Sequence, residues 1–346
     1  MSHRLTNTFP LHSNRPSVCP SIINAGVQAL EALGVDLELQ QQEWGAALAG
    51  LRQGNQRLPA FLVRRFWEVA RELSGDPAIG LIAARHSDAG QLLGLAYLMQ
   101  LMPSRLAGLE VMERYWPLLC GHLRLHYEVE GGRFHLVVLA AQPLQPAAEE
   151  IDYWFANQIR YQKSEPGMPT TLLEMRLRRP MPNDPGPWQK ITGGAVVFGA
   201  ERDELLLDLS ALRVERTAGS PAVCNALEGA LLGYAEQSSQ GTLLEQVATA
   251  VLAGMQHGLS LERLAERLHM TPRTLHRALL REGWSFSEIV EIQRRYLASD
   301  LLREGALDIG EVAEHLGYRE LRSFTRAFLR WYGTSPGAFR QERGGG

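Results

Sequence analysis

Apolar residues in the first third of the chain recur every three or four positions, with polar residues between them. This spacing puts the apolar side chains on one face of an α-helix and is typical of helices that pack on a core. Ser74-Gly75-Asp76-Pro77 interrupts the pattern as a stop and turn. The pattern predicts helices over residues 21–50, 56–73, 79–86, 92–101 and 106–119.

The period then changes to a strict alternation of apolar and polar residues, which is the pattern of a half-buried β-strand. Residues 123–129 and 134–139 alternate on either side of Gly131-Gly132, which predicts a hairpin. A helix over residues 147–163 follows. Further strands are predicted at residues 172–178, 195–198 and 205–207, with a Pro-rich loop at 179–187. The first domain is therefore predicted to be α+β, mostly helical with a small antiparallel sheet.

The last third of the chain shows only helical periodicity, and one pattern occurs in it twice, at residues 261–279 and 309–328. Leu264-Ala265 corresponds to Val312-Ala313, and His269-Met270 corresponds to Gly317-Tyr318, with one extra residue in the second turn. Each copy predicts a short helix, a tight turn and a second helix, and a small Ala lies where the helices approach. That is a helix-turn-helix unit, whose second helix can enter the major groove of DNA.

Cap residues and turn residues support the boundaries of these units. Ser260 and Thr271 are N-cap residues, and Pro272 suits the first helical position. A turn residue at His269 needs a left-handed backbone, which His tolerates better than most residues other than Gly. The segment 286–303 predicts a helix about 27 Å long at 1.5 Å per residue. The C-terminal domain is therefore predicted to be all-α, with two helix-turn-helix units joined by a long helix.

This C-terminal block resembles the AraC/XylS family of transcriptional regulators. The resemblance extends to Trp331–Arg340, which looks like the closing signature of that family, and to Arg281–Phe286 after the first recognition helix. Residues 20–235 are similar to the arabinose-binding-like sensor domain of one subgroup, in Leu58-Pro59, in Gly75–Leu81 and in Leu92-Leu93-Gly94. That likeness is diffuse and identifies no ligand-binding residues.

The chain of 346 residues is long enough for two domains with separate cores. We predict a flexible tail at residues 1–19, an effector-sensing or oligomerisation domain at 20–235, a polar linker at 236–242, and the double helix-turn-helix domain at 243–343. The N-terminus has no apolar signal region, and no apolar run is long enough to span a bilayer. Three scattered cysteines without metal spacing favour a reducing, cytoplasmic location.

The net charge of −3 argues by itself against nucleic-acid binding, so the distribution of charge matters more. Residues 242–346 carry 14 Arg against 13 Asp and Glu, whereas residues 1–241 carry 21 basic against 25 acidic residues. Within the last third the arginines concentrate on the second helix of each unit, and the acids lie mainly on the other helices. A basic stripe on one helix face is what phosphate binding requires.

The candidate DNA-binding residues are those that the helical period places on or beside the outer face of each recognition helix. Arg suits guanine and phosphate because its planar fork donates two hydrogen bonds at once. Leu275 and Leu279 in the first helix, and Phe324 and Phe328 in the second, are predicted to pack inward. The alternative for any single Arg is a merely solvated position. The candidates are Arg273, Thr274, His276, Arg277, Arg281, Arg319, Arg322, Ser323, Thr325, Arg326 and Arg330.

Other chemistry has weaker signals. His122, His126 and His135 could meet across the hairpin as metal ligands, but no acid or cysteine is expected to complete a set, and structural or surface histidines are the preferred interpretation. Glu149-Glu150 is expected to be a solvated helix start. Nucleophile, phosphate-loop and dinucleotide motifs are absent from the sequence. We therefore expect no catalytic residues, no metal, no cofactor and no enzymatic activity.

These patterns predict a sequence-specific transcription regulator. Its first domain is predicted either to sense a small molecule, whose identity the sequence does not give, or to mediate self-association, for example as a homodimer. The resemblance implies activation through RNA polymerase at promoter DNA more often than repression. Two rival hypotheses stay open. One is an enzyme whose first domain transforms a metabolite, and the other is a non-specific architectural DNA binder, against which the near-neutral charge of the C-terminal block argues.

Overall fold

A computed structural model describes residues 17–35, 57–88, 92–163, 168–238 and 241–341. They separate into two compact units, of which the second starts at Gly241 and also takes in residues 142–145. Positions 36–50 of the first predicted helix, most of the predicted tail, and linker residues 239–240 lie outside the described residues. No helix in the described ranges is long and apolar enough to cross a membrane.

The first unit is mostly helical. The helix predicted over residues 21–50 is too long, because it ends at Ala32 and Gly34 has a φ of 79°. The other helical segments predicted in this unit also contain helices. Their apolar faces enclose one core, in which Trp67 and Trp188 are fully buried. The helices are α1 (Ser21–Ala32), α2 (Ala60–Ser74), α3 (Ile79–Arg85), α4 (Leu95–Gln100), α5 (Arg105–Leu119), α6 (Ala148–Lys163), α7 (Gly186–Thr192), α8 (Leu209–Leu212) and α9 (Pro221–Gln237).

The same unit contains a two-stranded and a five-stranded sheet. The strands are β1 (Ser17–Val18), β2 (Leu58–Pro59), β3 (Leu123–Glu130), β4 (Arg133–Ala140), β5 (Leu172–Leu177), β6 (Val196–Phe198) and β7 (Asp203–Asp208). In the larger sheet the order is β3-β4-β7-β5-β6. The predicted small antiparallel sheet is confirmed except at one edge, where β6 pairs parallel to β5. The connection between them is long enough to hold α7 and so permits a parallel return.

The predicted hairpin is confirmed, with Glu130 paired to Arg133 across the turn. Gly131 and Gly132 have φ values of 56° and 79°. Left-handed backbone at both central positions gives the primed turn that matches strand twist. From the turn onward, Phe134, Leu136 and Val138 alternate into the core beneath the helices, which fixes the register of the sheet.

Two features of this unit have no clear signal in the sequence. The strands β1 and β2 are only two residues long, which is too short for a periodic pattern. Helix α9 is largely exposed, with Leu231 as its one buried residue, so its apolar positions do not form a stripe. Because α9 continues to Gln237, Glu236 and Gln237 at the start of the predicted linker are helical.

The first turn of α6 corrects the expectation that Glu149-Glu150 is solvated. Glu149 is 2% exposed and Glu150 is fully buried. Helix α3 lies so close to this turn that a Cβ on Gly80 would come 2.0 Å from the Glu149 carbonyl oxygen. Burial raises the pKa of the Glu149 carboxyl, and the Arg71 guanidinium at 3.6 Å opposes that shift. The acids were misjudged because the sequence does not show which helix covers them.

We predict that Gly80→Ala destabilises the first unit by about 2–3 kcal/mol, because a methyl group there overlaps backbone that must shift as a whole. Gly229→Ala is the matched control. Gly229 also lies in a helix, but nothing lies within 4 Å of a Cβ at that position. Its replacement should be neutral or stabilise the chain by up to about 1 kcal/mol through helix propensity. Urea denaturation of both variants measures the difference, and equal midpoints would contradict the close approach of α3 and α6.

Candidate nucleic-acid interface

The second unit consists of seven α-helices and a short 3₁₀ turn at Met255–His257 in the described range 241–341. Most of the helices begin with the side-chain caps that the sequence indicates. Ser260 accepts from the Arg263 amide, and Thr271 accepts from the Thr274 amide. The helices are α10 (Leu243–Gly254), α11 (Leu261–Arg267), α12 (Pro272–Arg281), α13 (Phe286–Glu304), α14 (Ile309–His315), α15 (Leu321–Tyr332) and α16 (Pro336–Gln341).

The two predicted helix-turn-helix units are α11–α12 and α14–α15, and their turns have the same backbone. His269 has a φ of 54° and Gly317 a φ of 76°. The next amide in each copy reaches back to the small residue of the first helix: Met270 N donates to Ala265 O, and Tyr318 N donates to Ala313 O, both at 2.9 Å. The prediction of a left-handed backbone at His269 is confirmed. The repeat in the sequence is therefore a repeat in structure.

The seam between the two helices of each unit is apolar and closed. Ala265 and Ala313 are buried where the helices approach, as predicted. Leu275 and Leu279 in α12, and Phe324 and Phe328 in α15, are fully buried, which confirms their inward orientation. Burial of these side chains fixes which face of each second helix remains outside.

The long helix α13 positions the second helix-turn-helix, α14–α15, through polar contacts that a pattern of apolar residues does not reveal. The Arg294 guanidinium donates from Nε to the Leu316 carbonyl at 2.9 Å, at the end of α14. It also lies over the Tyr318 ring, 4.9 Å from the centroid. The Tyr332 hydroxyl donates to the Arg295 carbonyl at 2.8 Å, which joins the end of α15 to the same helix.

The opening helix α10 is held to α13 as well. The side chain of Gln293 is buried and donates from Nε2 to the Ala248 carbonyl at 3.1 Å. Just after the end of α10, the Met255 carbonyl lies against the turn between α14 and α15, where a Cβ on Gly317 would approach it to 2.4 Å. Gly317 is thus fixed by its φ and by packing at once, whereas the sequence indicated only the φ.

The structure leaves the candidate residues on the outer surface of their helices. In and after α12, Arg273, Thr274, His276, Arg277 and Arg281 are exposed; in and before α15, Arg319, Arg322, Arg326 and Arg330 are exposed. Ser323 and Thr325 are half-buried. The Thr325 hydroxyl donates to the Leu321 carbonyl at 3.0 Å, one turn earlier in the helix.

The exposed arginines of the two helices differ in whether they have an acidic partner. Arg330 pairs with Glu291 of α13 at 2.8 Å, and Trp331 Nε1 donates to the same carboxylate at 3.0 Å. These two hydrogen bonds lower the pKa of Glu291. No carboxylate among the described residues pairs with the other arginines of this surface, which are Arg273, Arg277, Arg281, Arg319, Arg322 and Arg326.

We name these six guanidiniums the arginine face. Unpaired guanidiniums keep their donors available for an external anion, and phosphate and guanine edges are anionic or acceptor-rich partners that match the planar fork. Leu280, Leu321 and Leu329 are about half exposed on the same two helices. Apolar side chains at such positions can contact a thymine methyl group.

The histidines of the first unit do not gather into one site. His126 is exposed beside Glu128, and His135 is buried against Glu204, each at 3.1 Å. The expectation that no acid or cysteine accompanies His122 is wrong. His122 Nδ1 lies 3.5 Å from Cys120 Sγ, and Nε2 lies 3.2 Å from a Glu150 carboxylate oxygen.

Cys120, His122 and Glu150 are all buried, with possible ligand atoms within 4.8 Å of one another. Burial raises the pKa of the Cys120 thiol well above its ordinary value, and the nearby Glu150 adds to the shift. The thiol is therefore held as a neutral hydrogen-bonding group, which does not suit a nucleophile. The group connects the start of β3 to α6 as a buried polar cluster.

Comparison with known families agrees with this architecture. Residues 34–215 match the family described as the arabinose-binding domain of AraC transcription regulators, N-terminal part, and residues 264–342 match a helix-turn-helix domain family. The chain belongs to the AraC family of transcription regulators. The first of these matches covers more than half of the chain.

Individual relatives share either low sequence identity with this chain or a short matched segment. An ornithine utilization regulator of Pseudomonas aeruginosa is 26% identical over 278 residues, which are 79% of this chain and 81% of the relative. An uncharacterized helix-turn-helix regulator of Mycobacterium bovis is 43% identical over 76 residues, and the match spans only 22% of the length of each protein. The crystal structure of the regulator CdpR from P. aeruginosa aligns over 86% of this chain and 98% of its own, with 24% identity and a TM-score of 0.41.

We predict that Gly317→Ala destabilises the second unit by about 3 kcal/mol, since the methyl group meets a backbone carbonyl and the φ disfavours any Cβ. His269→Gly is the matched change in the other turn. It relieves the left-handed strain but adds Gly entropy, so we expect a shift of at most about 1 kcal/mol in either direction. Urea denaturation of the full chain measures both, and a Gly317→Ala variant as stable as the parent would contradict the packing of the turn on Met255.

Proposed function

We propose that this protein is a sequence-specific transcription regulator that binds promoter DNA through both helix-turn-helix units. The observation that carries the proposal is the arginine face. The second helix of each helix-turn-helix repeat exposes guanidiniums there that no described carboxylate neutralises. Membership of the AraC family supports the same function. In each unit the second helix enters a major groove and its outer residues contact base edges and phosphates.

The length of helix α13 bears on how the two recognition helices could be spaced along DNA. Helix α13 has 19 residues and a length of about 28 Å, close to the roughly 34 Å that separates major grooves on one side of a duplex. This length supports our proposal that the two recognition helices bind successive grooves. We propose that Arg273, His276 and Arg277 contact base edges from the first helix-turn-helix. Arg322 and Arg326 are proposed to do so from the second helix-turn-helix.

Thr274, Arg281, Arg319, Ser323 and Thr325 are proposed to contact the backbone beside these readers, since they flank the same faces. Arg330 is proposed to contribute less, because Glu291 already pairs with it. An Arg whose charge is compensated releases fewer counterions when it meets a phosphate.

For the first unit we propose a sensor role. A small molecule bound there shifts the population of conformations that engage DNA, and it can do so only by the difference in its affinity for them. Activation through RNA polymerase, a homodimer and action in the cytoplasm, where promoter DNA is found, belong to the same proposal. We propose no catalytic step, since the buried Cys120–His122–Glu150 cluster holds its thiol neutral.

The rival architectural function predicts binding without sequence preference. Against it stands the nearly balanced charge of residues 242–346, with 14 Arg and 13 acids. Non-specific binders rely on neutralising many phosphates at once, and six unpaired arginines in or beside two helices are better suited to specific contacts.

The test begins with selection of bound fragments from source genomic DNA by the full chain, followed by affinity measurements on a selected fragment and on random duplex at matched salt. We expect Arg277→Ala and Arg326→Ala each to cost about 1–3 kcal/mol of specific binding. Arg263→Ala is the matched control: it removes one exposed Arg from the scaffold helix α11, and we expect it to change affinity little. Equal affinity for selected and random DNA would refute the proposed function.

A second measurement separates base readers from phosphate contacts. Arg319→Ala should weaken binding to all sequences alike and reduce the slope of log affinity against log salt by about one. Arg330→Ala should reduce that slope by less, because its charge is paired with Glu291 in the free protein. An Arg330→Ala effect as large as that of Arg319→Ala would show that the ion pair opens at no cost on DNA.

A further inference from the structure

The first unit contains a partly open cavity of about 240 Å³ between the helices and the sheet. Its walls come from α4, α5 and α6 and from strands β3 and β4. Apolar side chains such as Met112, Trp116, Leu136 and Phe155 form most of the lining. Ser87, Asp88 and Arg160 lie at the part that reaches the surface, where Asp88 and Arg160 are exposed.

Two buried donors of the lining residues lack an acceptor among the described residues, the Gln158 amide and the Trp154 indole N–H. Gln158 is 7% exposed, and its Nε2 makes no hydrogen bond within the described residues. It lies one helical turn after Trp154 on α6, and both residues line the cavity. A buried amide donor without an acceptor weakens a protein unless something else supplies the acceptor, so Gln158 points to a ligand with an accepting oxygen.

Several other polar groups of the lining are already engaged. The Asn157 amide donates to the Tyr153 carbonyl at 3.0 Å, and the Tyr161 hydroxyl accepts from Arg216 at 3.3 Å. The Arg160 guanidinium donates to the carbonyls of Ala84 and Ser87. Arg160 is the one cationic residue among the described residues of this lining, and it is exposed at the end that reaches the surface. A carboxylate buried among the apolar side chains would therefore lack a cationic partner, which favours a neutral ligand.

We propose that this cavity binds a neutral, mainly apolar molecule with a single carbonyl-type oxygen, which accepts a hydrogen bond from Gln158 Nε2. A cavity of roughly 150 Å³ holds one benzene, so this one has room for on the order of ten non-hydrogen atoms. The assignment rests on the sensor role proposed above, and it adds the location and chemical class of the effector.

The same features disfavour a sugar, despite the arabinose-binding description of the matched family. A pentose carries several hydroxyl groups, and each one buried without a partner lowers affinity by about tenfold or more. This lining offers two unsatisfied donors, Gln158 Nε2 and Trp154 Nε1, against many apolar side chains. A polyol would leave most of its hydroxyls unpaired.

The test uses two probes of nearly equal size, acetophenone and ethylbenzene, which differ in the carbonyl oxygen, together with L-arabinose. Each is titrated calorimetrically into the full chain, with the melting temperature as a second readout. We expect acetophenone to bind more tightly than ethylbenzene and L-arabinose not to bind. Gln158→Leu should weaken acetophenone roughly 5- to 10-fold, the effect of one neutral hydrogen bond, and leave ethylbenzene unchanged.

A second variant tests the location. Ala96→Phe places a ring into the cavity from α4 and should abolish binding of both aromatic probes. Tyr97→Ala is its control, since Tyr97 is the next residue of that helix, is 47% exposed and does not line the cavity. Binding that survives Ala96→Phe would overturn the assigned site.

Other outcomes overturn the ligand class. These are binding of L-arabinose in preference to acetophenone, equal effects of Gln158→Leu on both aromatic probes, or no binding of either aromatic probe to the parent protein. Affinity for the selected DNA fragment, measured on the same preparations, separates the two proposals. A protein that discriminates DNA sequences but takes neither probe loses only the ligand assignment, and one that takes acetophenone but treats all DNA alike loses only the regulator function.

Discussion

The second unit depends on a backbone constraint at the turn inside each helix pair. The residue two positions after the end of the first helix must take a left-handed conformation, so that the following amide can return to a buried Ala and the chain can start a second helix against the first. His269 accepts this conformation with some strain, and Gly317 accepts it without. At Gly317 the constraint is doubled, because the Met255 carbonyl occupies the space that a side chain would need.

That constraint determines which side chains face outward. Once Leu275, Leu279, Phe324 and Phe328 close the seams, the helical period leaves the arginines of α12 and α15 on the surface. Their charges are not cancelled by described acids, apart from Arg330 with Glu291. A chain with a net charge of −3 can thus present local positive potential, since short-range fields depend on the placement of charge more than on its sum.

The first unit shows a different use of buried polar groups. The side chains of Cys120, His122 and Glu150 lie within hydrogen-bonding distance of one another inside the core. They therefore strengthen the contact between sheet and helix, and none of their buried polar atoms is without a partner. Gln158 lies on the same helix as Glu150 but retains a donor with no acceptor, at the wall of a cavity. The difference between a satisfied and an unsatisfied buried group distinguishes a structural cluster from a place for a ligand.

The sequence by itself determined most helices, the hairpin, the repeated unit, its caps, the positive φ at His269 and the outward face of each recognition helix, because these follow from local periodicity and backbone preference. Only the tertiary structure decided that Glu149-Glu150 is buried, that β6 runs parallel to β5, that Arg330 is paired, and that Gln158 borders a cavity. Each of these depends on which distant segment covers a residue. Periodicity shows which face of an element is covered, and only the fold shows by what.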